Sequence, residues 1–304
     1  MSELQFRRIE MTDREWAIER LSKSGFRGCE YTFGNNFVWR NIYDIEIADA
    51  HGFYFVKFNT GKGVKFAFPT GDGDAIFAVE LIKDYCAENG IRLLISANKA
   101  SAELLGSAFP AAHIEFDRDS SDYIYLAEDL EELKGKKYHA KRNHLNRFYE
   151  NDWSFEPLCG DNIPECIAMN EQWSSENIEE CSDCCYNEQD QSKLDELCIV
   201  RCSLKHYNEL GYTGGVLRVN GEVQAFTFGE PSCDGETFVV HVEKALRRYQ
   251  GAYAAVNREF VRSLGGRYKY INREEDTGAE NLRKAKLSYY PVFLEEKFNV
   301  TFGG

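Results

Sequence analysis

The sequence lacks any apolar run near the roughly 20 residues that span a bilayer. Its first stretch, MSELQFRRIEMTDREW, is too polar for a secretory signal. Both absences lead to the expectation of a cytoplasmic protein with no transmembrane segment. Excess positive charge is missing too: 36 Lys and Arg stand against 50 Asp and Glu, a formal net charge of −14. Attraction of the whole surface to nucleic acid or anionic lipid is thereby excluded, so any polyanion must meet a local basic patch. No Cys-His or Ser-His motif marks a covalent nucleophile among ten cysteines and six histidines. The chain is too long, and without an export signal, for those cysteines to read as a small disulfide scaffold, so reduced thiols are expected. What is present is ample for two buried cores: 304 residues, 43% apolar and 14% aromatic.

One group of cysteines admits a second reading. Cys181, Cys184 and Cys185, followed by Cys198 and Cys202, give C-x-x-C and then C-x-x-x-C, a spacing used by zinc sites. The glycine-rich knuckles of such sites are absent. The competing reading puts Cys198 and Cys202 on one face of a helix as small buried residues, with the first three in a polar loop. No metal is expected.

A basic patch exists at LKGKKYHAKRNHLNRFY, residues 133–149, where Lys134, Lys136, Lys137, Lys141, Arg142 and Arg147 occur with no acidic residue. It reads either as a solvated helix joining two domains or as a phosphate contact through Lys137, Lys141 and Arg142.

The order of elements repeats. The first half predicts three strands (IYDIEIAD, HGFYFVKFN, GVKFAFP), a helix over Asp74–Glu88 closed by Asn89-Gly90, a strand IRLLIS, a helix ASAELLGSAF and a strand DYIYLA. The second half predicts helices around Ile163–Glu176 and Ser192–Leu210. A hairpin follows, YTGGVLRV and EVQAFTFG around Asn220-Gly221, and then the strand TFVVHVE. A helix over Ala252–Leu264, the strand RYKYINRE, the helix AENLRKAKLSY and the strand VFLEEKFNVTF complete it. Two similar α+β domains are expected, 1–132 and 151–304, joined by a basic helix over 133–150.

The halves differ where the third strand meets its helix. The first reads FPTGDGDAIF and the second EKALRRYQGAYAAV. A helix N-terminus attracts phosphate through its free N–H groups, and glycine lets a ligand approach the backbone. Asp72 and Asp74 would repel a phosphorylated donor, whereas Arg247 and Arg248, with Gly251, Ala252 and Tyr253, would hold it. The donor site is expected in the second half.

Arg248-x-x-Gly251-Ala252 after a strand resembles the pyrophosphate loop of GNAT acyltransferases, with Tyr253 where that loop usually has its second small residue. A broader resemblance rests on LKGKKYHAKRNHLNRF, GGVLRVNGEVQAFTFGE, QGAYAAVNREF and YINREEDTGAENLRKAKLSYYP. Nearly the whole chain resembles the C-terminal catalytic region of bacterial phosphatidylglycerol lysyltransferases, related to the Fem-type transferases. That resemblance implies an α+β fold of tandem GNAT-like domains, each a mixed, mostly antiparallel sheet flanked by helices. It implies a transferase with no tightly bound cofactor, using aminoacyl-tRNA or, alternatively, acyl-CoA as co-substrate. The acceptor would be a small molecule, peptide or lipid, although the membrane domain that precedes this region in lipid-modifying members is not expected here. A third reading is a binding protein that keeps the fold without the chemistry.

Such a transfer needs a bound donor, a route for the acceptor's proton and stabilisation of an oxyanion. His241 and Glu243 alternate on one strand and so share a sheet face near the donor loop; either is a candidate base, or His241 is a hydrogen-bonded core residue. The polar segment after YKYI offers Asn272, Glu274 and Asp276 for an acceptor, Arg273 and Lys286 for the reaction centre, and Arg283 for donor phosphate. Its alternative is a salt-bridge network tying strand to helix. Trp173 lines an acceptor cleft or packs in a core.

Overall fold

The computed structural model describes residues 3–61, 63–177 and 188–303. These form two compact units. The first runs to Ile124 and also takes Pro231–Thr237 and everything from Asn272 onward; the second comprises Tyr125–Glu230 and Phe238–Ile271.

In the first unit a sheet runs in the order Arg7–Arg8, Glu46–Ala50, Phe53–Asn59, Val64–Ala67, Leu94–Asn98, Phe293–Thr301 and His113–Leu126. Only Val64–Ala67 and Leu94–Asn98 pair in parallel, with Phe66 opposite Ile95; the other pairs are antiparallel. That parallel step follows from the crossover helix Ala75–Asn89 between them. Its start is sealed by Asp74, whose Oδ1 accepts from the Ile76 and Phe77 N–H groups at 2.9 and 3.4 Å, and its end by Gly90 at φ 65°. With the helix Lys99–Ala108 it covers a core of Phe55, Phe66, Val79, Ile82, Ile95, Leu105 and Val300.

In the second unit the order is Tyr270–Asn272, Thr237–Ala245, Glu222–Pro231, Thr213–Val219 and Trp153–Pro157. Asn220 and Gly221 take φ of 52° and 83°, the two positive values that an Asn-Gly hairpin turn requires. Helices Ile163–Asn177, Glu188–Lys205 and Ala252–Ser263 belong to this unit.

The expected boundaries at 132 and 150 differ from these units. The basic segment is part of the second, where Leu145 and Phe148 bury one face of the helix His139–Phe148. The last 30 or so residues belong to the first, because Phe293–Thr301 pairs on both edges with first-unit strands. Cys181, Cys184 and Cys185 lie outside the described residues. Cys198 is exposed and Cys202 half-buried, which corrects their reading as buried residues; all described cysteines are free.

Candidate functional site

The strand Thr237–Ala245 is rich in β-branched and apolar residues and is buried along most of its length. Six residues beyond its end stands Gly251, φ 95°, where the helix Ala252–Ser263 starts with no side-chain cap. Among the described residues nothing accepts from the Tyr253 or Ala254 N–H. Arg247 beside this end is exposed, while Arg248 pairs with Glu222 Oε2 at 3.3 Å. The two units thus differ at this point: Asp74 caps the first helix N-terminus, and among the described residues no side chain caps the second. Gly251 has a further reason to be glycine. A Cβ there would lie 2.2 Å from the His144 carbonyl oxygen, so the residue is required by the approach of the helix His139–Phe148.

Trp173, from the helix Ile163–Asn177, reaches this same end. Its indole N–H donates to the Tyr253 hydroxyl at 3.1 Å. Lys244, 3% exposed, lies 3.3 Å from the centre of the Trp173 ring and pairs with Glu196 at 2.7 Å. Burial lowers its pKa, opposed by Glu196. The Tyr253 phenol is pushed up by burial, against Trp173 and the Ala245 backbone, although the residue is 39% exposed. Glu243 accepts from Asn257 Nδ2 at 3.0 Å. His241 faces Glu230 at 3.0 Å with both side chains enclosed, as a hydrogen-bonded core residue would.

The basic segment is less free than its sequence suggests. Lys137 pairs with Asp129 at 3.3 Å and Lys134 with Glu132, acidic residues of the preceding helix Ala127–Glu132. Arg142 donates to the Leu133 and Gly135 carbonyls at 2.5 and 2.7 Å. Lys141 is half-buried on the same helix.

The polar segment after Ile271 lies wholly in the first unit and is bound internally. Lys286 is 9% exposed and donates to the carbonyl oxygens of Arg273, 2.7 Å, Glu274, 3.1 Å, and Glu275. Burial lowers its pKa, while Glu275 and Glu274 oppose the fall. Asp276 takes a bidentate grip from Arg283, both bonds 2.8 Å, and accepts from the Tyr123 hydroxyl at 2.5 Å. Burial would raise this carboxyl, but those partners hold it well below the usual range. Asn272 donates to Asp122 and the Arg27 carbonyl, at 2.8 and 2.9 Å, and accepts from the Glu274 N–H. Arg273 lies over the Tyr289 ring. Of the three cations expected at the donor or reaction centre, Lys286 and Arg283 direct their hydrogen-bonding groups at their own loop and its neighbours, as in the salt-bridge network that was the alternative reading, while Arg273 rests its guanidinium on the Tyr289 ring.

A cluster that sequence reasoning missed adjoins this loop. Lys297 Nζ lies 2.7 Å from Asp122 Oδ1, 2.8 Å from Glu30 Oε2 and 3.5 Å from Cys29 Sγ. Glu275 Oε2 is 3.6 Å from the same sulfur. Burial and the neighbouring carboxylates push Glu275 up to about 7, against Lys297. Lys297 itself is driven upward by Asp122, Cys29 and Glu30 in spite of burial. The strand pairing breaks register between Glu295 and Lys297, which opens the sheet where these groups meet. Cys29, Glu30 and Asp122 bring one ligand atom each within 4.8 Å of one another, but the Lys297 ammonium already sits among them. No residue spacing signals this cluster, since its members come from four distant segments.

The sequence matches the family described as phosphatidylglycerol lysyltransferase, C-terminal, over residues 22–301. The chain belongs to that family. This member shares 37% identity, over 99% of its own length and 100% of the other's, with a conserved protein of unknown function from Bacteroides thetaiotaomicron VPI-5482, at a TM-score of 0.90. Its fold is that of L-PGS from Bacillus licheniformis, 15% identical over 85% of this chain and 84% of that one, TM-score 0.59. It is also that of FemX, 7% identical over 97% and 96%, TM-score 0.60. No curated protein matches. The sheets are mixed and mostly antiparallel, with flanking helices, and the family is one of transferases. No described helix is long and apolar enough to cross a membrane.

Lys244 and Glu196 were also missed in this family member. Strand alternation did carry a signal for Lys244: it falls in register with Phe238, Val240 and Val242, where an apolar residue is expected.

Proposed function

We propose that this protein transfers an aminoacyl group from aminoacyl-tRNA to an amine or hydroxyl acceptor, with the donor held in the second unit. The observation that carries this reading is the contrast between the two helix starts. Ala252–Ser263 presents unclaimed N–H groups beside the exposed Arg247, whereas Ala75–Asn89 is closed by its own Asp74. A phosphate of the donor would take the positive end of the helix dipole and the arginine charge together. The likeness to L-PGS and to FemX supports the class of reaction.

In the transfer, the acceptor's nitrogen or oxygen forms a bond to the ester carbonyl carbon. The ester C–O bond then breaks and the tRNA ribose hydroxyl leaves with the proton the acceptor gives up. Glu243, oriented by Asn257, is the candidate to carry that proton. The near-GNAT spacing of Arg248, Gly251 and Ala252 favours acyl-CoA as the competing donor, and one experiment separates the two. Arg247→Glu with Arg248→Glu is expected to weaken the donor at least about 10-fold by thermal shift or direct titration, using charged tRNA and acetyl-CoA in parallel. Asp72→Lys with Asp74→Lys is expected to leave donor binding nearly unchanged. Equal sensitivity of the two loops would overturn the placement; binding of acetyl-CoA alone would replace the donor.

A further inference from the structure

Tyr253 occupies an unusual position. It is the second residue of the helix Ala252–Ser263, between Ala252 and Ala254, both buried. A small side chain there would lack the reach of Tyr253 to Trp173 and to the end of the strand Thr237–Ala245. The tyrosine instead reaches back, its hydroxyl held by the Trp173 indole N–H at 3.1 Å and lying against the Ala245 backbone. Trp173 is in turn fixed by Lys244, whose ammonium lies over its ring and is paired with Glu196. The phenol is therefore anchored at its far end while 39% of the residue faces solvent. Among the described residues no other aromatic ring stacks on it. An aromatic side chain anchored at its hydroxyl and partly exposed is a platform on which proteins stack a nucleobase, and such a contact is sequence-tolerant because every base has a π-face.

We propose that Tyr253 selects the class of donor: its ring stacks the terminal adenine of a tRNA and closes the strand-to-helix gap to the slender arm of an acyl-CoA. This rests on the reading that the donor binds at the start of this helix. The chemistry recognised is a base on an unpaired 3′ end, which all charged tRNAs share, so Tyr253 confers donor class and not amino-acid identity. Tyr253 is a specificity-determining residue and takes no proton in the transfer.

The test is a cycle on the full chain with two RNA probes: an acceptor-stem minihelix ending in CCA and the same minihelix lacking the terminal adenosine. For the wild type, removing the adenosine is expected to weaken binding about 10-fold, within the range measured for loss of one base–aromatic stack. In Tyr253→Ala the two probes should bind alike, and acetyl-CoA should gain affinity. Tyr253→Phe keeps the ring and should keep the 10-fold difference; its melting temperature and that of the alanine variant show that both fold. A 10-fold difference that persists in Tyr253→Ala overturns the proposal. So does loss of the difference in Tyr253→Phe, which would assign the effect to the hydroxyl and its Trp173 bond. If the wild type binds the complete minihelix with no dependence on the terminal adenosine, the inference fails while the tRNA donor stands. If the wild type binds neither minihelix, both readings fail.

Discussion

Lys297 places one ammonium among Asp122, Glu30, Glu275 and the Cys29 thiol, all within the first unit. Taking several charges out of water is costly, and removing a single partner from such a group exposes the rest to that cost, about 3–5 kcal/mol. The group is balanced by protonation as well as by pairing. Glu275, pushed up to about 7 by burial, keeps its proton in the folded protein at pH values where the unfolded chain has lost it. Between about pH 4.5 and 7 the folded state binds more protons, so this group makes stability fall as pH rises through that window and contributes no further change above it. Glu275→Gln removes the titration while keeping the shape. Relative to wild type, the variant is expected to be similar near pH 4.5 and more stable at pH 8 by roughly 1–3 kcal/mol. Chemical denaturation across that range measures it, and parallel curves for the two proteins would show that Glu275 does not titrate as described. Gly28 borders the same cluster: a Cβ on it would lie 2.4 Å from Glu30 Oε2, so a larger residue there would require that carboxylate to shift.

At the scale of elements, the start of the helix Ala252–Ser263 joins two requirements in one residue. Gly251 adopts φ 95° and touches the His144 carbonyl, so an added methyl meets both a disfavoured backbone and a neighbouring helix. Gly90 at φ 65° has nothing within 4 Å of where its Cβ would be. Gly90→Ala should therefore cost about 1–2 kcal/mol, the left-handed penalty alone, and Gly251→Ala distinctly more, about 3–4 kcal/mol, because the clash adds to it. Equal losses in melting temperature would mean that the two helices do not press together at Gly251. Many of the elements were legible as periodicity and punctuation, with Asn89-Gly90 and Asn220-Gly221 ending or turning the chain where expected, whereas Ala127–Glu132 and Trp153–Pro157 were not foreseen. The site was legible only in part. Trp173 meets Tyr253 at the helix start, a contact that no local pattern announced, whereas Arg283 and Lys286 are spent on their own loop. Residue type marks a group as able to bind; only its neighbours decide whether that capacity is already used.

For the whole molecule, the chain ends in the unit where it began. Phe293–Thr301 lies between Leu94–Asn98 and His113–Leu126, with Val300 in the core. A fragment of residues 1–132 keeps both flanking strands but not the one between them. It loses a ladder on each side and exposes two long edges. The fragment is expected to be unfolded or aggregated, without a cooperative melt by circular dichroism, while the full chain melts cooperatively. A cooperatively folding 1–132 fragment would mean that the terminal strand is dispensable to this unit.

What the sequence determined by itself is whatever depends on near neighbours along the chain. The alternation of Thr237–Ala245, the helix caps at Asp74 and Gly90, the Asn-Gly hairpin and the contrast between an acidic and a basic helix start are all local, set by steric and dipolar effects within a few residues. The family likeness also lay there, in contiguous segments. The tertiary structure decided what depends on meeting across the chain: that the last strand completes the first sheet, that Asp129 and Glu132 neutralise part of the basic segment, and that Cys29, Asp122, Glu275 and Lys297 share one buried cluster. Charges and thiols carry no periodicity that announces a partner some hundred residues away. Burial then multiplies the energy of each such meeting, because little water remains to screen it.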